Sequence, residues 1–261
     1  MQIRKIGKVS LYQSSVFEKF PNVVHGFTTR EGGVSTGEYE SLSLSPYRGD
    51  KIECVHQNEK ILCESLNLDH NRLSSTKQEH TDNIEVIDKN NIGIGVHFPW
   101  GKGVDAVITR EKNVPILCYS ADCVPIIMYA SDIGAIAAIH SGWKGTAMKI
   151  AEKTVKKLME MGAETESIYA AIGPCIGKCC YEVSGDVALQ FEKKHYTEKP
   201  DGKYMLDLQQ ANFDIIADAG VPSENISASD ICTKCRNDLF FSHRGQKGTS
   251  GTLGGIIAIK D

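Results

Sequence analysis

Apolar positions in this chain gather into short, nearly continuous runs. They fall at 104–109 (VDAVIT), 115–120 (PILCYS), 124–130 (VPIIMYA), 134–140 (GAIAAIH), 168–173 (IYAAIG) and 256–260 (IIAIK). Runs of this length without a polar alternation predict strands covered on both faces. Two segments carry the helical period instead. In 53–66, Val55, Ile61, Leu62 and Leu66 recur at roughly helical spacing. In 147–161, Met148, Ala151, Val155, Leu158 and Met159 form one stripe, and Lys149, Lys153, Lys156 and Lys157 form an opposite, solvated side. Thr146 is suited to cap the start of that helix, and Gly162 to end it in the left-handed conformation. Strand and helix segments alternate, and no repeat, low-complexity tract or Pro/Ser-rich linker divides the chain.

Composition narrows the class. The 261 residues are 41% hydrophobic and 24% charged, ordinary globular values that exclude a collagen-like, coiled-coil or largely disordered chain. A chain this long buries a core without disulfide help. The net charge of −4 argues against a broad nucleic-acid-binding surface, while leaving room for a local basic pocket. The opening MQIRKIGKVSLYQSSVF lacks the apolar core of a secretory signal, and no run approaches the ~18 apolar residues of a membrane span, so the expectation is a soluble, cytoplasmic protein without a membrane partner. Nine cysteines, an odd number, are then core residues, metal ligands or nucleophiles.

The chemistry concentrates between Ser120 and Lys144. Asp122 and Cys123 lie at the edge of one apolar run, and His140 ends another. After His140 the turn SGWKGT leads into a helix, and such a strand–turn–helix junction directs free backbone N–H groups at an anion, with Lys144 adding positive charge. Its glycine spacing is not that of a Walker motif. His80, upstream in KQEHTDN, is a third candidate. One cysteine and two histidines can form the open tripod of a catalytic zinc site, with a fourth position left for water or substrate. The separations of His80, Cys123 and His140 match no short zinc motif, so spacing alone leaves packing or surface roles open.

Other clusters carry less. GPCIGKCCYEV (173–183) holds Cys175, able to line a pocket or act as a thiolate, together with Cys179, Cys180 and Tyr181. Cys232 and Cys235 form a CxxC that zinc binding, redox chemistry or chance explains equally; there is no second CxxC, although Cys179 or Cys180 can join it in space. Arg30 stands beside a glycine turn in HGFTTREGG, and Arg244 lies in the glycine-rich FFSHRGQKGTSGTLGG. Arg48-Gly49-Asp50 matches an adhesion tripeptide by chance.

QEH (78–80), ADCVPI (121–126), HSGWKGT (140–146) and GPCIGKCCYEV together resemble the YfiH/YlmD family, once labelled multicopper polyphenol oxidoreductase laccase and related to mammalian laccase-domain-containing protein 1. HGFTTREGGVS and CT…FFSHR look like its outer motifs, so the resemblance spans roughly residues 25 to 258. It implies a single α/β (α+β) domain over 1–261, with mixed sheets flanked by helices and a likeness to a toxin deamidase fold. It implies a zinc-dependent purine nucleoside phosphorylase acting on adenosine, inosine, guanosine and 5′-methylthioadenosine with phosphate, and adenosine deaminase as a further activity. The metal and catalytic residues then fall on His80, Cys123 and His140. Substrate contacts fall to Arg30, Arg48, Gln78, Trp143, Lys144, Cys175, Tyr181 and Arg244, with Trp143 or Tyr181 stacking on the purine and the cations holding phosphate.

Two departures touch the substrate rim. The family tail FFSYRRDG followed by TGR is here changed at His243, Gly245 and Thr252, and SLSLSPYRGD stands where the family has NLGLHVGD. The competing expectation is a metal-free Cys123–His140 amidase editing peptidoglycan precursors. A non-catalytic zinc-stabilised module is a further alternative. Copper is disfavoured relative to zinc, because multicopper sites need many more histidines than these eight scattered ones. The expected assembly is a monomer or homodimer.

Overall fold

The computed structural model describes residues 2–261. Its strands, in chain order, are β1 (Gln2–Ile6), β2 (Val9–Gln13), β3 (Val23–Thr28), β4 (Ser74–Ser75), β5 (Ile84–Ile87), β6 (Ala106–Thr109), β7 (Ile116–Ser120) and β8 (Val124–Ala130). They continue as β9 (Ala135–Ser141), β10 (Ile168–Ile172), β11 (Glu182–Val183), β12 (Tyr196–Glu198), β13 (Tyr204–Leu206), β14 (Ile226–Ala228) and β15 (Leu253–Ile259). The helices are α1 (Ile52–Ser65), α2 (Trp143–Ala147), α3 (Ile150–Glu160), α4 (Gly185–Ala188) and α5 (Leu208–Asp218).

Two six-stranded mixed sheets dominate, ordered β1-β2-β3-β15-β7-β4 and β14-β10-β8-β9-β6-β5; a small sheet, β11-β13-β12, lies beside them. In the first sheet β4 runs parallel to β7, and in the second β5–β6 and β10–β14 are the parallel pairs. The continuous apolar runs follow from the layering. Along β8, Val124, Ile126, Met128 and Ala130 face the core under α3 and α5, where Val155, Leu158 and Ile216 lie, whereas Ile127 and Tyr129 face the first sheet. Along β7, Ile116 and Cys118 face the second sheet, and Leu117 and Tyr119 face Ile61 and Leu62 of α1. The order is therefore helix, sheet, sheet, helix. Each inner strand has an apolar layer on both sides, which is why period-2 alternation is missing from its sequence.

The α/β expectation and all six strand segments hold to within a few residues at each end. The predicted helix from 147 is divided instead. Lys149 adopts φ +59° and starts a fresh helix at Ile150, and Thr146 bonds back to the Gly142 carbonyl from within α2 rather than capping α3. Met148 and Met159 are largely exposed, so the buried stripe of α3 is narrower than its sequence implies and consists of Ile150, Ala151, Val155 and Leu158. Gly162 does end the helix, at φ +103°. The lysine side is a solvated face of ion pairs with Glu152, Glu160 and Asp82.

Phe27 joins the two sheets. Its ring occupies the space that a Cβ would take on Gly173, just beyond β10, at 2.4 Å, and it lies 3.3 Å from the corresponding position on Gly255 of β15. Glycine is required at 173 because the ring needs that space. Phe27→Ala is expected to cost about 3–5 kcal/mol of unfolding free energy, measured by urea denaturation, since the cavity opens between two paired sheets that cannot collapse.

Candidate metal centre and active site

The site forms at one end of the gap between the sheets. The β8–β9 register pairs Pro125 with His140, so Cys123, one residue before β8, arrives beside the end of β9. His140 continues the Ile136–Ala138 parity and points into the gap. His80 comes from the connection between β4 and β5 and takes φ +58°, a conformation that histidine tolerates better than most residues. The donor atoms of His80, Cys123 and His140 all lie within 4.8 Å of one another, and the two imidazole centroids are 4.9 Å apart.

Asp105, immediately before β6, fixes two of these residues. Its Oδ1 accepts from His140 Nδ1 at 2.8 Å and from the His80 backbone N–H at 3.2 Å. Its Oδ2 accepts from the amides of Glu79 and Thr81 and from the Thr81 hydroxyl. With Nδ1 engaged, His140 has Nε2 left for a ligand, the usual arrangement behind a metal-bound histidine. His80 Nδ1 is buried with no hydrogen-bond partner. An unpaired buried acceptor is costly, and a cation between His80, Cys123 and His140 satisfies it. The Gly142 backbone closes the back of the cluster: a Cβ there would stand 2.6 Å from His80 Nδ1 and 3.1 Å from Cys123 Sγ. The donor set therefore fits a divalent metal.

The electrostatics separate the two histidines. Burial, then the neighbouring His140, lowers the His80 pKa to about 4, with Arg48 and Lys144 adding to the effect. Burial also works against a charged His140, yet Cys123 and Asp105 outweigh it and raise its pKa to about 9. His80 is therefore neutral and ready to ligate above pH 4, whereas His140 carries a proton below pH 9 that a metal must displace. Burial pushes the Cys175 thiol far up, so that residue is packing rather than a thiolate.

In front of the tripod lies a cavity of about 190 Å³ lined by His80, Cys123 and His140 together with Tyr47, Arg48, Gln78, Ser120 and Thr252 among others. Arg48 and Gln78 are thus on the wall. Gln78 is tied to the Tyr119 backbone, donating to its carbonyl and accepting from its N–H, and so sets the edge of β7. Lys144 is exposed near His80, with its ammonium 5.6 Å from the Trp143 ring, and Trp143 packs partly into the core under the helices. Tyr181 is mostly buried against that same core, with the Arg244 guanidinium 5.6 Å from its ring and bonded to the Glu182 carbonyl. Cys175 lies in that core as well. Arg30 is elsewhere: its guanidinium donates to the Glu40 and Asn237 carbonyls and stacks on Phe241, lining a separate cleft.

Asp105, Tyr47 and Ser120 escaped sequence reading. The signal for Asp105 was a charge inside an otherwise apolar run; the Ser120 hydroxyl is buried without a partner on the cavity wall. Thr252, noted as a change in the tail, lines the cavity itself.

Two outcomes follow. Metal affinity should fall about tenfold per pH unit as the pH drops from 9 towards neutrality, because bound metal and the His140 proton exclude each other. Above pH 10, where that competition has fallen away, Asp105→Asn should still weaken metal binding by roughly 10–100-fold through loss of ring orientation. Both are read by competitive chelator titration, and pH-independent affinity in the parent would exclude His140 as a ligand.

The profile of the multi-copper polyphenol oxidoreductase laccase family matches residues 24–260. A protein from Bacteroides thetaiotaomicron named purine nucleoside phosphorylase is 35% identical over the whole of both chains. A protein from an unknown prokaryotic organism named adenosine deaminase RL5 is 34% identical, covering 92% of this chain and 96% of that one. The crystal structure of YlmD from Geobacillus stearothermophilus superposes with a TM-score of 0.90 at 33% identity, over 99% of this chain and 98% of that one. The chain belongs to the multi-copper polyphenol oxidoreductase laccase family, the YfiH/YlmD group.

Proposed function

We propose that this chain is a zinc-dependent purine nucleoside phosphorylase, working as one domain on adenosine, inosine, guanosine and methylthioadenosine, and that it also deaminates adenosine in the same cavity. The reading rests on one observation: a buried imidazole nitrogen with no partner, grouped with a cysteine and a second histidine, at the base of a cavity walled by an arginine and hydroxyl groups. The relatives named phosphorylase and deaminase support the same pair of activities.

Phosphorolysis breaks the bond between C1′ and the purine nitrogen and forms a C1′–O bond to phosphate. The cavity must hold an anion, a sugar and a flat base together. Arg48 supplies a guanidinium for phosphate, and Lys144 adds positive potential near His80. The Ser120 hydroxyl, without a protein partner, is free to bond a ribose hydroxyl or a phosphate oxygen. Tyr47 is half exposed at the rim and offers a ring face to the purine. Zinc, when bound, supplies Lewis-acid polarisation and lowers the pKa of water towards about 7. Asp105 holds the His140 ring in one tautomer throughout. Deamination exchanges the C6 amino group for a water oxygen and releases ammonia. It consumes no phosphate, so the two activities separate by phosphate dependence.

Zinc suits the site better than a copper cluster. Among the described residues the metal-ready groups are this His/Cys/His set and one all-cysteine set, and no other histidine joins either. Electron-transfer and oxygen chemistry on several coppers needs further imidazoles beside the first three.

A second reading draws on the charge pair. Cys123, His140 and Asp105 line up as nucleophile, base and orienting carboxylate, the order of a metal-free amidase acting on peptidoglycan precursors. The orphaned His80 nitrogen has no task in that scheme.

Metal-assayed protein incubated with adenosine is expected to yield adenine and ribose 1-phosphate only when phosphate is present, and inosine without it. Arg48→Ala should raise the phosphate KM by about tenfold or more, the equivalent of one charge-assisted hydrogen bond, and leave inosine formation within about threefold. Neither product from zinc-loaded protein would favour the amidase.

A further inference from the structure

Four cysteines converge in a place the reaction does not use. Cys179 and Cys180 belong to the loop that follows β10, and Cys232 and Cys235 to the CxxC that follows β14. Their sulfurs all lie within 4.8 Å of one another. Cys235 Sγ is 3.7 Å from Cys179 Sγ and 3.5 Å from Cys180 Sγ. A disulfide requires about 2.05 Å. Four sulfurs held about 2.3 Å from one tetrahedral ion are separated by about 3.8 Å along each edge. The observed spacings correspond to the tetrahedron, and all four cysteines are unpaired.

The surrounding backbone keeps the centre of this group open. A Cβ on Gly177 would stand 3.1 Å from Cys232 Cβ and 3.4 Å from Cys179 Sγ, so the loop passes close against the cluster. The amides of Gly177 and Cys235 face the Cys232 sulfur. The two segments are already docked: Cys175 and Cys232 form a β-bridge, and the Thr233 N–H donates to the Cys175 carbonyl at 2.9 Å. Lys178 and Lys234 flank the cysteines in sequence, which suits the net negative charge of four thiolates around a divalent ion.

We propose that Cys179, Cys180, Cys232 and Cys235 form a second, closed metal site that binds one zinc-class divalent cation as a structural staple. Four thiolates leave no position for water or substrate, in contrast to the open His80–Cys123–His140 group. The staple clamps the loop that carries Tyr181 to the segment whose Thr233 hydroxyl donates to Asp122, the neighbour of Cys123, at 2.6 Å. It thereby joins two walls around the tripod that are separated by more than fifty residues of chain.

The test uses the full chain purified under reducing conditions, with zinc and cobalt(II) as probes. The His80→Ala/Cys123→Ser variant removes the open site and is expected to keep one zinc per chain. Loaded with cobalt, it should display thiolate-to-cobalt charge-transfer absorption and intense tetrahedral d–d bands. The Cys179→Ser/Cys235→Ser variant should lose those bands and hold one zinc fewer than the parent. In the same tripod variant, which lacks the Cys123 thiol, a mercurial titration of the remaining thiols should release the zinc that dialysis does not. A tripod variant that binds no metal, or a disulfide between Cys235 and Cys179 or Cys180 in metal-free parent protein, overturns the proposal. Neither result depends on which substrate the open site turns over.

Discussion

At the start of β6 a carboxylate with no exposed surface accepts from the His140 ring, from three successive amides of the loop that bears His80, and from the Thr81 hydroxyl. Burial by itself would push the Asp105 pKa up, but these donors, His140 foremost, keep it below the ordinary carboxylate value. The charge is retained because it is fully hydrogen-bonded, the condition under which a buried ion is tolerable. Everything chemical in the cavity depends on it. It positions the His80 loop at its left-handed turn, orients one imidazole, and leaves two ring nitrogens and a thiol aimed at a common point.

The double-sheet architecture explains why this happens at an edge. Between the sheets the side chains are apolar and tightly interdigitated, and a polar cluster there would have no water and few partners. At the ends of β7 and β9 and the start of β8 a cavity replaces the apolar packing, and polar side chains carried by these strands line it. Cys123 and His140 are thus borne at the edges of β8 and β9, whereas Tyr47, Arg48 and Thr252 reach the same cavity from segments outside the strands.

The altered tail takes on meaning in this setting. Thr252 donates nothing cationic to the wall it occupies; its Oγ1 accepts from the Ser45 N–H at 2.7 Å and joins the loop that presents Tyr47 and Arg48. The positive charge at the mouth comes from that loop instead. Arg244, whose N–H bonds Asp122 and whose guanidinium bonds the Glu182 carbonyl, braces the opposite wall.

The apolar runs by themselves determined the inner strands β6 to β10 and β15, because a strand buried on both faces is apolar at nearly every position; the edge and short strands left no such run. QEH, ADCVPI, HSGWKGT and GPCIGKCCYEV together carried the family resemblance, and the resemblance carried the expected His80–Cys123–His140 grouping. Helix breaks were less legible: Lys149 takes the left-handed turn at φ +59° with no glycine or proline to announce it. Asp105 was hidden because a single charge in an apolar run reads equally as an edge. Its five donors come from residues 79–81 and 140, and that convergence exists only once β6 lies beside β9. The same holds for Arg30, which sequence grouped with the substrate and folding carries to a separate cleft, and for the four cysteines, whose meeting the sequence allowed without deciding. Local periodicity is written residue by residue, whereas a site is a meeting of distant segments whose register is set by the sheets.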